Sequence, residues 1–127
     1  TIARFVAPGV VVCMSAHSAD DPNAQVLARI AQTLATFTDA KGRLLKVVTI
    51  PSPGRVLDKD GQVMPASYVN FYIGNRTVVV PTYGTEFDQS AVEAISALFP
   101  GRKTIGLSAK AIVSEGGAFH CITQQQP

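Results

Sequence analysis

Arg4-Phe5-Val6-Ala7-Pro8-Gly9, running on into Val10-Val11-Val12, and Asn70-Phe71-Tyr72-Ile73-Gly74-Asn75, followed closely by Val78-Val79-Val80, are two versions of one pattern. In each, an apolar stretch meets a Gly-containing turn and then a β-branched run. β-Branched side chains suit a pleated, buried surface, so each pattern predicts a hairpin.

The flanking sequence repeats as well. After the first hairpin, with its second strand at Gly9 to Met14, comes a polar loop from Ser15 to Asp21. Asp21 is placed to cap a helix with Pro22 at its first position. Leu27, Ile30, Leu34 and Phe37 recur at helical spacing, and Lys41-Gly42 marks the stop. Leu45 to Ile50 reads as the closing strand. In the second version, strands are expected over Tyr68 to Ile73 and Thr77 to Val80, then a loop from Thr82 to Asp88. Asp88 caps a helix with the stripe Val92, Ile95, Leu98 and Phe99, stopped by Pro100-Gly101, and Lys103 to Leu107 closes the unit. Phe5 and Phe71 are 66 residues apart. That period predicts an α/β fold of repeated β-β-α-β modules, over residues 1–66 and 67–110, with a third starting at 111 and running to 127. Between the hairpins, Asp58-Lys59-Asp60-Gly61 predicts a tight turn. Modules of this kind cannot bury both faces alone. The chain also opens at Thr1-Ile2-Ala3-Arg4 already in strand-like sequence, so an N-terminal portion is expected to be missing.

Composition narrows the function. Of 127 residues, 46% are apolar and 16% charged, which favours a packed domain over a disordered segment. Eleven basic and nine acidic residues leave a net charge of +2 with no basic cluster, so neither nucleic acid nor a membrane surface is an expected partner. The apolar stretch Phe5 to Met14 is broken by Pro8 and Gly9 and is too short to span a bilayer. Two distant cysteines, Cys13 and Cys121, are too few for a disulfide framework and point to a reducing compartment, the cytoplasm.

Glu115-Gly116-Gly117-Ala118-Phe119-His120-Cys121-Ile122-Thr123 is the most unusual segment. Gly116 and Gly117 allow backbone or ligand to approach closely, and a thiol just beyond them could meet a small substrate. A bulge with a small buried cysteine explains the same residues. If the segment is a strand, His120 and Cys121 point to opposite faces, so His120 does not activate the thiol. His17 lies in a loop and reads as solvated. Cys13 sits in a valine run and reads as core, and Asp20, Asp21, Glu86 and Asp88 read as loop and cap residues. Asn70 interrupts an apolar strand, either facing a central site or serving as a satisfied buried amide. No spacing of His, Cys and carboxylates suits a metal, and no glycine-rich phosphate loop is present, so no metal and no cofactor are expected. The residues by themselves thus offer a candidate nucleophile without an evident base.

The run Gly116-Gly117-Ala118-Phe119-His120-Cys121-Ile122-Thr123-Gln124-Gln125-Gln126-Pro127 resembles the C-terminal signature of agmatine deiminases. Ala3 to Val11, Ser67 to Ile73 and Leu98-Phe99-Pro100-Gly101-Arg102 are similar to the same family, so the resemblance covers the whole chain. It implies a five-fold α/β propeller (the pentein fold of guanidino-modifying enzymes), with this chain its C-terminal part. It further implies that Cys121 is the nucleophile; Gly116, Gly117 and Asn70 stand beside it as weaker substrate-binding candidates on the residue reading alone. A Gly-His-x-Asp motif with the catalytic His and one substrate-binding Asp belongs immediately before Thr1, and a further carboxylate belongs to the earlier half. Glu115 stands where many members have a third Gly. The implied reaction is hydrolysis of agmatine to N-carbamoylputrescine and ammonia in polyamine biosynthesis, with a homodimer compatible with the family. A related deiminase acting on arginine in peptides is the alternative, and a non-catalytic module of the same fold is a third. The isolated chain is expected to be inactive.

Overall fold

Val11, Val12 and Cys13 lie at the centre of a parallel and an antiparallel pairing at once, which accounts for their burial and for the β-branched run around them. The computed structural model describes residues 1–126, so Pro127, the last residue of the signature, lies outside the described residues. Strand β1 (Ala3–Ala7) turns through Pro8-Gly9 into β2 (Val10–Ser15) and pairs with it antiparallel. Gly9 takes φ +73°, a conformation that suits glycine at this turn. Helix α1 (Ala24–Leu34) crosses back, and β3 (Lys46–Pro51) pairs parallel to β2 over six residues.

The second half has the same order and the same senses of pairing. Strand β4 (Tyr72–Ile73) runs antiparallel to β5 (Thr77–Thr82), helix α2 (Asp88–Leu98) follows, and β6 (Lys103–Ser108) runs parallel to β5. The sheets are thus two mixed three-stranded sheets, ordered β1-β2-β3 and β4-β5-β6. Val10 faces Lys46 and Thr77 faces Lys103, so Val10 and Thr77 hold equivalent places, one residue beyond the spacing from Phe5 to Phe71. A bulge between Phe5 and Ala7 accounts for further slippage in the first hairpin.

Several element boundaries differ from the expectation. Helix α1 ends at Leu34, and Phe37 lies outside it, half exposed. Residues after the helix form a small turn instead, bridged from Thr38 to Leu44, in which the Asp39 carboxylate accepts from the backbone N–H groups of Lys41 and Arg43. Gly42 belongs to that turn, with φ +74°, and does not cap the helix. Asp21 accepts from the N–H of Asn23 and makes no cap, because Asn23 precedes the first helical residue. The expected strand from Tyr68 shrinks to Tyr72–Ile73, because Tyr68 and Val69 form a turn. The turn at Asp58 to Gly61 is present, closed by the Leu57–Val63 bridge. Ala111 lies in the short helix α3 (Lys110–Val113), and among the described residues no strand follows β6.

One core joins the two halves. Val12, Met14, Leu27 and Ile50 of the first pack in the same cluster as Tyr68, Phe71, Val78, Val80, Ile95 and Phe99 of the second. Phe71 meets Phe99 edge to face at 5.8 Å, and the Arg4 guanidinium lies 4.6 Å from the Phe71 ring centroid. Among the described residues no helix is long and apolar enough to cross a membrane.

Candidate active site

The site is built outward from the turn that replaced the expected strand. The Tyr83 hydroxyl accepts from the Ser67 N–H at 3.2 Å and donates to the Ser67 carbonyl at 3.1 Å. The Tyr68 hydroxyl donates to Asp88 at 2.6 Å, and the Asp88 carboxylate also accepts from the N–H groups of Tyr83 and Gly84. These bonds fix residues 67–69, and the Asn70 N–H closes the turn on the Ser67 carbonyl at 3.1 Å. Asn70 is left only 2% exposed. Asp88 therefore organises this loop from the first helical position; it does not cap α2.

Asn70 reaches across 51 residues to the cysteine. Its Oδ1 accepts from the N–H of His120 at 2.9 Å and from the N–H of Cys121 at 3.2 Å, while its Nδ2 donates to Cys121 Sγ at 3.1 Å. Two N–H donors facing Oδ1 fix the orientation of the amide, so the nitrogen must face the sulfur. Residues 119–122 form a turn, not the alternating strand considered for them. The Ile122 N–H donates to the Ala118 carbonyl at 3.3 Å, and Thr123 Oγ1 donates to the Phe119 carbonyl at 2.8 Å. Cys121 is exposed and free. Gly117 sits against it: a Cβ there would lie 2.7 Å from Cys121 Cβ and 3.0 Å from Sγ. Gly116 has φ +100° and open space around it.

Cys121 holds its thiol below the ordinary value. The Asn70 hydrogen bond is the main cause, opposed by partial burial. Cys13 goes the other way, pushed up by burial in β2. His120 is lowered by burial and by the nearby Arg4 charge, and its Nδ1 is buried without a partner. Among the described residues the side chains that meet the sulfur at hydrogen-bonding range are Asn70 and, at 4.0 Å, Thr1. His17 instead meets Ser15 Oγ at 3.2 Å and lies near the Phe87 ring. Asp20 bonds to Ser18, and Glu86 and Glu115 are exposed. No group of three His, Cys, Asp or Glu among the described residues could hold a metal ion. A groove of about 680 Å³ lies elsewhere, lined in part by Arg55, Met64, Tyr83 and Lys110, and Cys121 does not line it.

Sequence reasoning named Gly116, Gly117 and Cys121 as one segment and Asn70 apart from it, and the structure brings Asn70 and Gly117 onto Cys121. It gave no hint of Ser67 or Tyr83, which hold the Asn70 turn. Their contact spans 16 residues through a hydroxyl, and no local pattern announces it.

A mixed α/β fold with an exposed, low-lying thiol on a glycine-flanked turn defines a class that comparison then makes specific. The family model for Porphyromonas-type peptidyl-arginine deiminase matches residues 1–127, and the chain belongs to that family. Among its relatives, a Legionella pneumophila (strain Paris) protein named "Putative agmatine deiminase" is 39% identical over 99% of this chain and 36% of its own length. The solved agmatine deiminase of Enterococcus faecalis superposes with a TM-score of 0.90 at 35% identity, over 99% of this chain and 39% of that one. A structure described as "Putative Arginine Deiminase" from Porphyromonas gingivalis gives a TM-score of 0.90 at 32% identity, over 100% of this chain and 37% of that one. The chain thus spans little more than a third of the length of the relatives it matches.

Proposed function

We propose that this chain carries the nucleophile of an agmatine deiminase, and that Cys121 is that nucleophile. The observation that carries the reading is an exposed thiol, lowered by an amide N–H at 3.1 Å, on the turn of the family-like signature. A thiolate is strongly nucleophilic, and a guanidinium cation beside it favours the ionised form. Bidentate carboxylates fix the plane of the guanidinium and orient its carbon. The Cys121 sulfur forms a bond to that carbon, and one C–N bond breaks as ammonia leaves with a proton from a histidine. The resulting amidino-thioether is attacked by water, which gives up a proton to the same histidine. The C–S bond then breaks, releasing N-carbamoylputrescine and the thiolate. The resemblance assigns that histidine and the gripping carboxylates to sequence preceding Thr1, so the isolated chain is inactive on this reading.

The same reading assigns the two sheets to modules 1–66 and 67–110 of a five-fold propeller, supported by their matching strand order. It needs no cofactor or metal, and it places the enzyme in the cytoplasm, as a possible homodimer, in putrescine formation. The test is Cys121→Ala in a protein of the relatives' full length, assayed for ureido product from agmatine. Retained turnover would sink the assignment. The family description favours a second reading, a deiminase for arginine in peptides. Faster ureido formation from an arginine peptide than from agmatine would select it.

A further inference from the structure

We propose that Asn70 is a positioning residue for Cys121, holding the 120–121 turn through two backbone N–H groups and directing one amide N–H at the sulfur, and that it does not grip substrate. This rests on the reading of Cys121 as the nucleophile and assigns the residue that aims it. Three features of the geometry carry it. Asn70 is almost fully buried, so little of it faces a guest molecule. Its Oδ1 is occupied by the His120 and Cys121 N–H groups, and its carbonyl accepts from His120 as well, at 3.1 Å. Its Nδ2 reaches Sγ at 3.1 Å.

The backing of Asn70 is equally built. Its own turn is closed on Ser67, and Ser67 is bracketed by the buried Tyr83 hydroxyl. Gly117 leaves little room for Cys121 to move toward it. The sulfur thus lies against the Asn70 amide and the Gly117 backbone, with Thr1 Oγ1 at 4.0 Å, in a residue that is otherwise exposed. A side chain that fixed substrate would need free polar atoms pointing away from the thiol. Asn70 spends its acceptor and one donor hydrogen on the turn itself. The lowered thiol is the consequence expected when a neutral N–H stabilises a thiolate.

The test uses Asn70→Asp, which keeps an oxygen for the two N–H groups but places a carboxylate beside the sulfur, and Asn70→Ala, which removes both. The rate of Cys121 alkylation by iodoacetamide is followed against pH in each, with folding checked by far-UV circular dichroism. Cys13 is buried and separates as its own peptide on mass analysis. In Asn70→Asp the midpoint of the profile rises by about one pH unit or more, because like charges repel the thiolate. In Asn70→Ala it moves toward that of free cysteine. Profiles that superimpose on the parent overturn the proposal. In a full-length enzyme active on agmatine, Asn70→Asp lowers kcat at least tenfold and leaves KM within about threefold. A raised KM with unchanged kcat would instead make Asn70 a substrate contact and overturn the proposal. Failure of the parent enzyme to turn over agmatine, with the thiol profile shifted as expected, sinks the agmatine reading and leaves the positioning role standing.

Discussion

Gly117 and Cys121 touch so closely that a single added methyl would overlap: a Cβ on Gly117 would stand 2.7 Å from Cys121 Cβ. The backbone at Gly117 is not in the left-handed region, so the demand for glycine comes from the contact alone. Gly117→Ala must therefore displace Cys121 from its present fit against Asn70. We expect alkylation of Cys121 to lose its low-pH reactivity, and activity in a full-length enzyme to fall about a hundredfold, the scale of an ångström misplacement at a reacting atom. A parent-like alkylation profile would show that the turn can absorb the methyl.

Gly116 makes the opposite demand one residue earlier. Its surroundings are open, but its φ of +100° disfavours any residue with a Cβ. Gly116→Ala should lower the urea midpoint by an amount worth about 1–2 kcal/mol while the reactivity profile of Cys121 moves little. Loss of reactivity without loss of stability would reverse the roles assigned to the two glycines.

The strands and helices of both halves were legible because each rests on a local pattern. The valine runs of β2 and β5 and the stripe Leu27, Ile30, Leu34 follow the period of the element that contains them. The errors share a cause. Tyr68 to Phe71 is apolar and largely aromatic, so it reads as strand, yet the Ser67 backbone before it is held by Tyr83, 16 residues on, and the Tyr68 side chain is tied to Asp88, 20 residues on. Asp21 and Asp88 stand where caps belong, but each carboxylate finds loop N–H groups instead. The candidate site was legible in its members and not in its assembly. Asn70, Gly117 and Cys121 each stood out, and only the fold could show that one amide joins residues 51 apart.

Asp88 carries the loop that supports Asn70. It accepts from Gly84 at 2.7 Å, from Tyr83 at 3.1 Å and from the Tyr68 hydroxyl at 2.6 Å, and it sits in the first turn of α2 where a negative charge is favoured. Asp88→Asn keeps the shape but turns one acceptor into a donor facing N–H or O–H groups. A loss of about 2–3 kcal/mol is expected in urea unfolding, the range for hydrogen bonds to a charged group. A loss below about 0.5 kcal/mol would mean the loop is held by its other contacts.

Alkaline conditions should destabilise the fold. Burial pushes Tyr83 from 10.0 up to about 12, raises Tyr68 further still with help from Asp88, and raises the Cys13 thiol above 9.0. The unfolded chain therefore releases these protons at lower pH than the native chain does. Wherever the native state binds more protons, stability falls as pH rises. The loss begins near the ordinary thiol value and continues until Tyr83 itself ionises. Cys121 works in the opposite sense: its lowered thiol adds stability that is complete above 9.0 and is lost as pH falls through the folded value, but its exposure keeps that contribution small. The urea midpoint should drop between about pH 9 and about pH 12, and the drop above about pH 10 should shrink in Tyr83→Phe. A midpoint that holds or rises over that range would contradict the burial of these groups.

Arg4 ties the first sheet to the second. Its guanidinium stacks over Phe71 at 4.6 Å and donates to the Phe71 carbonyl, the residue next to Asn70. Burial lowers its pKa, and among the described residues no carboxylate pairs with it. A planar guanidinium can stack and donate together, whereas an ammonium is a strongly hydrated point charge that does neither so well. Arg4→Lys should therefore cost a substantial part of what Arg4→Ala costs, about 1–3 kcal/mol for the latter. Because the Arg4 charge adds to burial in lowering His120, Arg4→Ala should raise the imidazole pKa toward its ordinary 6.5, whereas Arg4→Lys, which keeps the charge, should leave it lowered, as measured by NMR titration of His120. A His120 titration unchanged in Arg4→Ala, together with full stability in Arg4→Lys, would reduce Arg4 to a generic surface charge and break the link drawn between the first sheet and the cysteine turn.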